Sequence, residues 1–321
     1  MLDRSTRIFV AGHRGLAGSA IYRCLEKSGF TNIVTCPRSD LDLTDQIATR
    51  KFFACEKPQI VVLAAARVGG IRANQEFPAE FIQDNLSIQN NVIEAAFHNN
   101  VQNLVFLGSS CIYPRDCPQP IKEEYLMSGQ LELTNRAYAV AKIAGIETCW
   151  AHNRQHGTRY IAAMPTNLYG PGDNYDLENS HVLPALIRKL HEAKEGGSPE
   201  ISIWGAGLAW REFLYSDDLA HACLFLLNLP ARELDSFFND RRPPLINVGT
   251  GMELQIRDLV TRVANIVGYE GEVSWDHSRP DGTPRKLLDN SLITNLGWKA
   301  AIDLDQGIQM AYTDFLSRYE P

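Results

Sequence analysis

The stretch Arg7-Ile8-Phe9-Val10-Ala11-Gly12-His13-Arg14-Gly15-Leu16-Ala17-Gly18 constrains the fold more than any other part of this chain. A short apolar run enters a turn with three evenly spaced glycines. A helical pattern follows at once, with Ala20, Ile21, Cys24 and Leu25 on one face and Gly29 as its stop. Strand, glycine turn and helix in this order open a nucleotide-binding βαβ unit. The glycines permit a tight turn and close backbone approach, so a pyrophosphate can rest on the helix N-terminus. The spacing is Gly-x-x-Gly-x-x-Gly rather than the Gly-x-Gly-x-x-Gly of simple dehydrogenases.

The units that follow repeat the alternation. Asn32 to Cys36 reads as a second strand, and Thr44 is placed to cap a helix that runs through Phe52-Phe53 and ends before Pro58. Ile60 to Ala64 reads as a strand buried on both faces. A long helix is expected from about Pro78 to His98, a strand over Asn103 to Leu107, a helix from Tyr138 to about Gln155 and a strand over Tyr160 to Met164. The expected class is α/β: a Rossmann-type doubly wound parallel sheet over residues 1–170, with a smaller α/β substrate domain over 171–321. Part of about 205–250 is expected to pack back on the first domain. In the second half, strands are expected at Ile201 to Trp204 and Leu245 to Gly249, and helices over 255–266 and about 304–319.

The end of the second strand selects the cofactor, because a carboxylate there would accept from a ribose 2′-hydroxyl. This chain has Pro37-Arg38-Ser39 instead, and Arg14 stands in the glycine turn. Two guanidiniums and a hydroxyl suit a 2′-phosphate, which points to NADP(H).

Composition excludes other classes. With 321 residues, 45% hydrophobic and 21% charged, the chain can bury a full core. A net charge of -7 argues against a nucleic-acid surface. The seven cysteines are scattered, without a Cys-x-x-Cys pair or zinc spacing, so a reduced cytoplasmic protein without a metal is expected. Residues 1–6 lack a signal-peptide core, and no apolar run of about eighteen residues occurs, so no membrane partner is expected.

Chemistry concentrates in Gly108-Ser109-Ser110-Cys111-Ile112-Tyr113-Pro114 and Tyr138-Ala139-Val140-Ala141-Lys142. On a helix, positions 138 and 142 lie one above the other, so a phenol stands beside an ammonium. That cation is expected to favour the phenolate and draw the tyrosine down from about 10. Ser109 is placed to hold the carbonyl oxygen that the tyrosine protonates. Taken alone, Tyr-x-x-x-Lys is a pattern many amphipathic helices carry. Here the fourth strand delivers Ser109 to the same sheet edge as the glycine turn.

These segments resemble the extended short-chain dehydrogenase/reductases over essentially the whole chain. Within them the chain resembles NADPH-dependent enzymes that epimerise C3 and C5 of a GDP-linked 4-keto-6-deoxy sugar and then reduce C4. The resemblance rests on residues 11–15, 64–71, 108–114, 164–171, 179–182, 211–214 and 280–286, with Arg67 where the family often has lysine. It implies catalytic roles for Ser109, Cys111, Tyr138, Lys142 and His181. It implies cofactor contacts from Gly12, His13, Arg14, Gly15, Leu16, Ala17, Gly18, Arg38, Leu107, Gly108, Lys142, Pro165, Thr166, Asn167, Leu168 and His181. Lys189, Trp204, Arg211 and Asp281 are the implied substrate contacts, and a homodimer the implied assembly.

The chemistry supports two of these roles independently. A 4-keto sugar has acidified C–H bonds at C3 and C5, and inversion needs a base on one face and an acid on the other. A thiol with pKa about 8.5 serves as base if a positive neighbour holds its thiolate, so Cys111 and His181 form the candidate pair, in either order. Lys189, Arg211 and Arg285 or Lys286 are placed to meet a diphosphate, and Trp204 to stack on a base. A sibling 4,6-dehydratase would carry acidic residues after the serine, where this chain has Ser110-Cys111. A 4-epimerase would want the missing acid on the second strand. A non-catalytic NADP-sensing module would have no need of Tyr138 and Lys142 together.

Overall fold

The structure is a computed structural model that describes residues 2–177, 180–230, 233, 238, 241–278 and 283–319. Its first half alternates β1 (Ile8–Ala11), α1 (Leu16–Lys27), β2 (Ile33–Val34), α2 (Gln46–Glu56), β3 (Ile60–Leu63), α3 (Ile71–Glu76), α4 (Pro78–His98), β4 (Asn103–Leu107), α5 (Arg136–His156) and β5 (Arg159–Pro165). The apolar runs become strands because they are buried on both faces. Ile8 and Val10 point into one core layer, Phe9 and Ala11 into the other. The cap of α2 falls on Asp45, whose side chain accepts from the Ala48 N–H, and not on Thr44. Asp42 already takes the Thr44 hydroxyl and N–H, which ties Thr44 into a turn and moves the helix start onward.

The remaining elements are β6 (Asn167–Tyr169), α6 (Val182–Glu195), β7 (Glu200–Trp204), β8 (Trp210–Tyr215), α7 (Ser216–Asn228) and β9 (Leu245–Val248), followed by β10 (Glu253–Gln255), α8 (Ile256–Val267), β11 (Glu272–Asp276), β12 (Arg285–Lys286), α9 (Ser291–Asn295) and α10 (Leu304–Arg318). Six parallel strands form the main sheet in the order β2-β1-β3-β4-β5-β9. The chain steps outward from β1 to β2 and then crosses back to β3, so a topological switch point opens between β1 and β3. Helices α1 and α7 cover one face through Ile21, Leu25, Leu219 and Leu226. Helices α2, α4 and α5 cover the other through Phe53, Val92 and Ile146. A third core joins α6, α8 and α10 to β7 and β8 through Leu186, Ile203, Phe213, Val263 and Phe315. A smaller sheet runs β10-β8-β12, with β6 also on β8, and β11 pairs with β7. Among the described residues no helix is long and apolar enough to cross a membrane.

One fully buried amide fastens these parts together. The Tyr113 hydroxyl donates to Asn247 Oδ1 at 2.6 Å, while Asn247 Nδ2 donates to the carbonyls of Ile121 at 2.9 Å and Asp289 at 3.1 Å. The Asn247 N–H donates to Glu123 Oε1 at 2.9 Å. The last strand of the main sheet thereby holds the 113–123 loop and the segment after β12. Asn247→Ala strands a buried phenol, the buried Ile121 carbonyl and the partly buried Asp289 carbonyl, so it is expected to lower unfolding free energy by about 2 to 4 kcal/mol. Urea unfolding followed by circular dichroism measures this, and a change below about 0.5 kcal/mol would contradict the account.

Candidate active site

The glycine turn fits a dinucleotide phosphate for a steric reason. Gly12 has φ +87°, in the left-handed region, and a Cβ there would lie 2.6 Å from the Ala65 nitrogen. A Cβ on Gly18 would lie 2.1 Å from the Gly12 oxygen. The exits of β1 and β3 and the head of α1 are thus pressed together at the switch point. Gly15 is the N-cap of α1 and brings no capping side chain, so the first N–H groups of α1 remain available to an anion. His13 Nδ1 is buried there without a partner, and burial followed by the Arg14 charge lowers the pKa of its ring. Arg14 is exposed, and Arg38 is exposed beyond the end of β2 with Asp42 3.7 Å away. Thr166 and Asn167 spend their side chains on the Glu212 carbonyl, at 3.1 and 2.7 Å.

At the end of β4, Ser109 adopts an extended conformation and its Oγ accepts from the Cys111 N–H at 3.3 Å, capping a single turn over 110–112. Tyr138 and Lys142 project from one face of α5 toward this turn, and the Ser109 hydroxyl is in hydrogen-bond reach of the phenol. Lys142 is buried, donates to the Leu107 carbonyl at 2.8 Å, and lies 4.8 Å from the Phe106 ring centroid and 5.8 Å from that of Tyr138.

The electrostatic expectation for this pair is corrected. Burial pushes the Tyr138 pKa well up, the neighbouring Cys111 adds to the rise, and the Ser109 hydrogen bond only partly opposes it. Burial alone pushes Lys142 down to about 7. Desolvation disfavours both charged forms, and the ammonium is directed at a backbone carbonyl rather than at the phenolic oxygen. Tyr138 therefore keeps its proton, which is the state a general acid needs.

Across the same turn, Lys286 Nζ stands 3.6 Å from Cys111 Sγ. His181 is the N-cap of α6. Its outer side is open to solvent, yet crowding by protein atoms, followed by the charge of Lys286, lowers its pKa. Ser109, Cys111, Tyr138, Lys142 and His181 are thus joined by one chain of neighbours, with Lys286 as a member the sequence offered only for a diphosphate. Arg285, the other candidate, is held by Glu253, with Nε 2.8 Å from both carboxylate oxygens.

The substrate candidates gather on the smaller sheets. Lys189 on α6 donates to the Ser202 carbonyl of β7, and burial lowers its pKa against the opposing pull of Asp276. Trp204 stands at the end of β7 and is 50% exposed. Arg211 on β8 is in register with Lys286 on β12, which links this region to Cys111. Asp281 lies outside the described residues. Among those described, no group of His, Cys, Asp or Glu is arranged to hold a metal.

Residues 8–248 match the model of the NAD dependent epimerase/dehydratase family. The chain is 53% identical to GDP-L-fucose synthase 1 of Arabidopsis thaliana, over 98% of this chain and 95% of the relative. It is 49% identical to GDP-L-fucose synthase of Escherichia coli K12, over 98% of each. A GDP-D-glycero-L-gluco-heptose synthase from Campylobacter jejuni, solved in the presence of NADPH, superposes with a TM-score of 0.91 at 39% identity, covering 98% of this chain and all of that one.

The depressed Lys142 makes stability depend on pH. The unfolded chain keeps that proton to about pH 10.4, whereas the folded one releases it near 7. The charge in its buried site is a cost below pH 7 that is relieved as pH rises from 7 toward 10. Lys142→Met should therefore raise Tm of the cofactor-free protein more at pH 6 than at pH 9. Calorimetry at both values checks this, and an equal difference at the two would overturn it.

Proposed function

The chain belongs to the NAD dependent epimerase/dehydratase family, and from that footing we propose that it converts GDP-4-keto-6-deoxy-D-mannose to GDP-L-fucose, by 3,5-epimerisation and NADPH-dependent 4-reduction. The observation that carries this reading is the meeting of a thiol, an ammonium and an imidazole beside a protonated tyrosine. A reductase alone needs the tyrosine; an epimerase at acidified carbons also needs a second acid–base pair.

Cys111 as thiolate takes the proton from C3 or C5, and charge passes to the C4 oxygen, where the Ser109 and Tyr138 hydroxyls stabilise it. His181 returns a proton from the opposite face, and its lowered pKa makes the imidazolium a readier donor. The thiol and imidazole then exchange protons with solvent before the second centre is inverted. When bound, NADPH supplies the hydride for C4. Tyr138 gives its proton to the C4 oxygen, held in line by Ser109, while Lys142 steadies the end of β4 through Leu107.

Gly12 to Gly18 are the residues to hold the pyrophosphate, with Arg14 and Arg38 on the 2′-phosphate and residues 107–108 and 165–168 along the remainder. Lys189, Trp204 and Arg211, joined by Asp281, are the residues to take the GDP moiety. The division into a cofactor half up to 170 and a substrate half beyond it belongs to the same reading. So do a homodimer and a cytoplasmic setting, in keeping with seven free thiols.

Two experiments test these assignments. With NADP⁺ bound and deuterated water as solvent, the native protein should place label at C3 and C5 of the ketone. Cys111→Ser should lose nearly all uptake, while Tyr138→Phe should keep uptake at a reduced level and reduce the ketone about two to four orders of magnitude more slowly. Full uptake by the serine variant would remove Cys111 from the chemistry. Arg38→Ala should weaken NADPH by about 1 to 3 kcal/mol and leave NADH nearly unchanged, as read by fluorescence titration. Equal losses for the two cofactors would move the 2′-phosphate contact elsewhere.

A further inference from the structure

We propose that Lys286 is the positioning cation that holds Cys111 as a thiolate, rather than a ligand of the substrate diphosphate. This rests on the role given to Cys111 above. The ammonium nitrogen is 3.6 Å from the sulfur, in contact across 175 residues of sequence. Its backbone has little freedom to be elsewhere. Lys286 is paired in register with Arg211 of β8, the Leu287 carbonyl accepts from the Ile121 N–H at 2.7 Å, and the Leu288 N–H donates to Glu212 Oε2 at 2.9 Å.

The neighbouring charges are committed to other partners. In the cavity that Cys111 and Lys286 share, Arg115 pairs with Glu132 at 3.5 Å and Arg285 with Glu253. Lys286 has no carboxylate partner among the described residues. Ser109, whose oxygen accepts from the Cys111 N–H, and the neutral Tyr138 lie beside the thiol, and Ser110, Asn135 and Thr283 also line the cavity, with the Glu132 carboxylate turned to Arg115. The field of Lys286 also reaches Cys117 and His181. A single ammonium thus acts on both members of the epimerisation pair: it favours the anion at sulfur and disfavours the cation at imidazole. The first effect readies the base; the second lowers the share of His181 that carries a proton and makes the imidazolium, once formed, a stronger acid. In the step itself the thiolate becomes a thiol as the carbon loses its proton, and Lys286 keeps all of its protons.

The test uses the full chain without substrate. Iodoacetamide labelling is followed by mass spectrometry at the Cys111 peptide, with exposed Cys55 as an internal control. At pH 7, Lys286→Met should label Cys111 about ten-fold more slowly, with the rate displaced toward higher pH, while Cys55 is unchanged. Lys286→Arg should stay within about three-fold of the native rate, because it restores the charge. If Lys286→Met unfolds, Lys286→Gln takes its place. Unchanged Cys111 labelling with weakened GDP binding would overturn the proposal and return Lys286 to the diphosphate. Slowed labelling in a protein whose native form exchanges no label into the 4-keto sugar would leave the pair standing and discard the epimerase reading instead.

Discussion

A single asparagine side chain, closed to solvent and with every polar atom used, governs how this molecule is put together. Asn247 belongs to the edge strand of the main sheet, yet its amide accepts from a phenol in the loop after β4 and donates to two carbonyls, one in that loop and one after β12. An amide so placed tolerates no sliding, because any shift leaves buried donors and acceptors open. Glu212 adds a second fixed point: wholly buried, it accepts from the N–H groups of Gly251 at 2.7 Å and Leu288 at 2.9 Å. Burial raises its pKa, and the backbone donors hold the other way. Between them these groups bring the short strand bearing Lys286 against the turn bearing Cys111.

The chemistry is divided between two electrostatic environments a few ångströms apart. On the α5 side, desolvation keeps Tyr138 neutral and strips Lys142 of much of its charge, so the acid proposed for reduction retains its proton. On the β12 side an ammonium that keeps contact with the thiol supplies positive charge. Environments that push neighbouring titratable groups in opposite directions allow proton donors and acceptors to coexist at one pH. The turn begun by Ser109 separates the two.

Sequence periodicity resolves the elements whose bounds core packing decides. Pro78–His98 and Asn103–Leu107 have the bounds their apolar spacing implied, because nothing but core packing decides them. Edge elements were harder. β2 shrinks to two residues where five were expected, since the sheet stops there and only one neighbour pairs with it. β10 and β12, three and two residues long, carry no periodicity to detect. The spacing of Tyr138 and Lys142 implies that the two stand together on α5, as they do, but not their charge state, which depends on burial supplied by Phe81 and Phe106 from other elements. The contact of Lys286 with Cys111 had no local signal at all, being made by topology alone.

The order of the strands has a further consequence for how the chain can be cut. β9 completes the main sheet and α7 covers α1, although both are made from sequence that comes after α6, β7 and β8. A fragment ending near residue 170 would expose one side of β5 and the apolar face of α1 that Leu219 and Leu226 cover. Such a half offers a bare sheet edge and an uncovered apolar layer, both of which invite self-association. A cut near residue 170 therefore does not separate two folding units, and neither piece is expected to survive on its own.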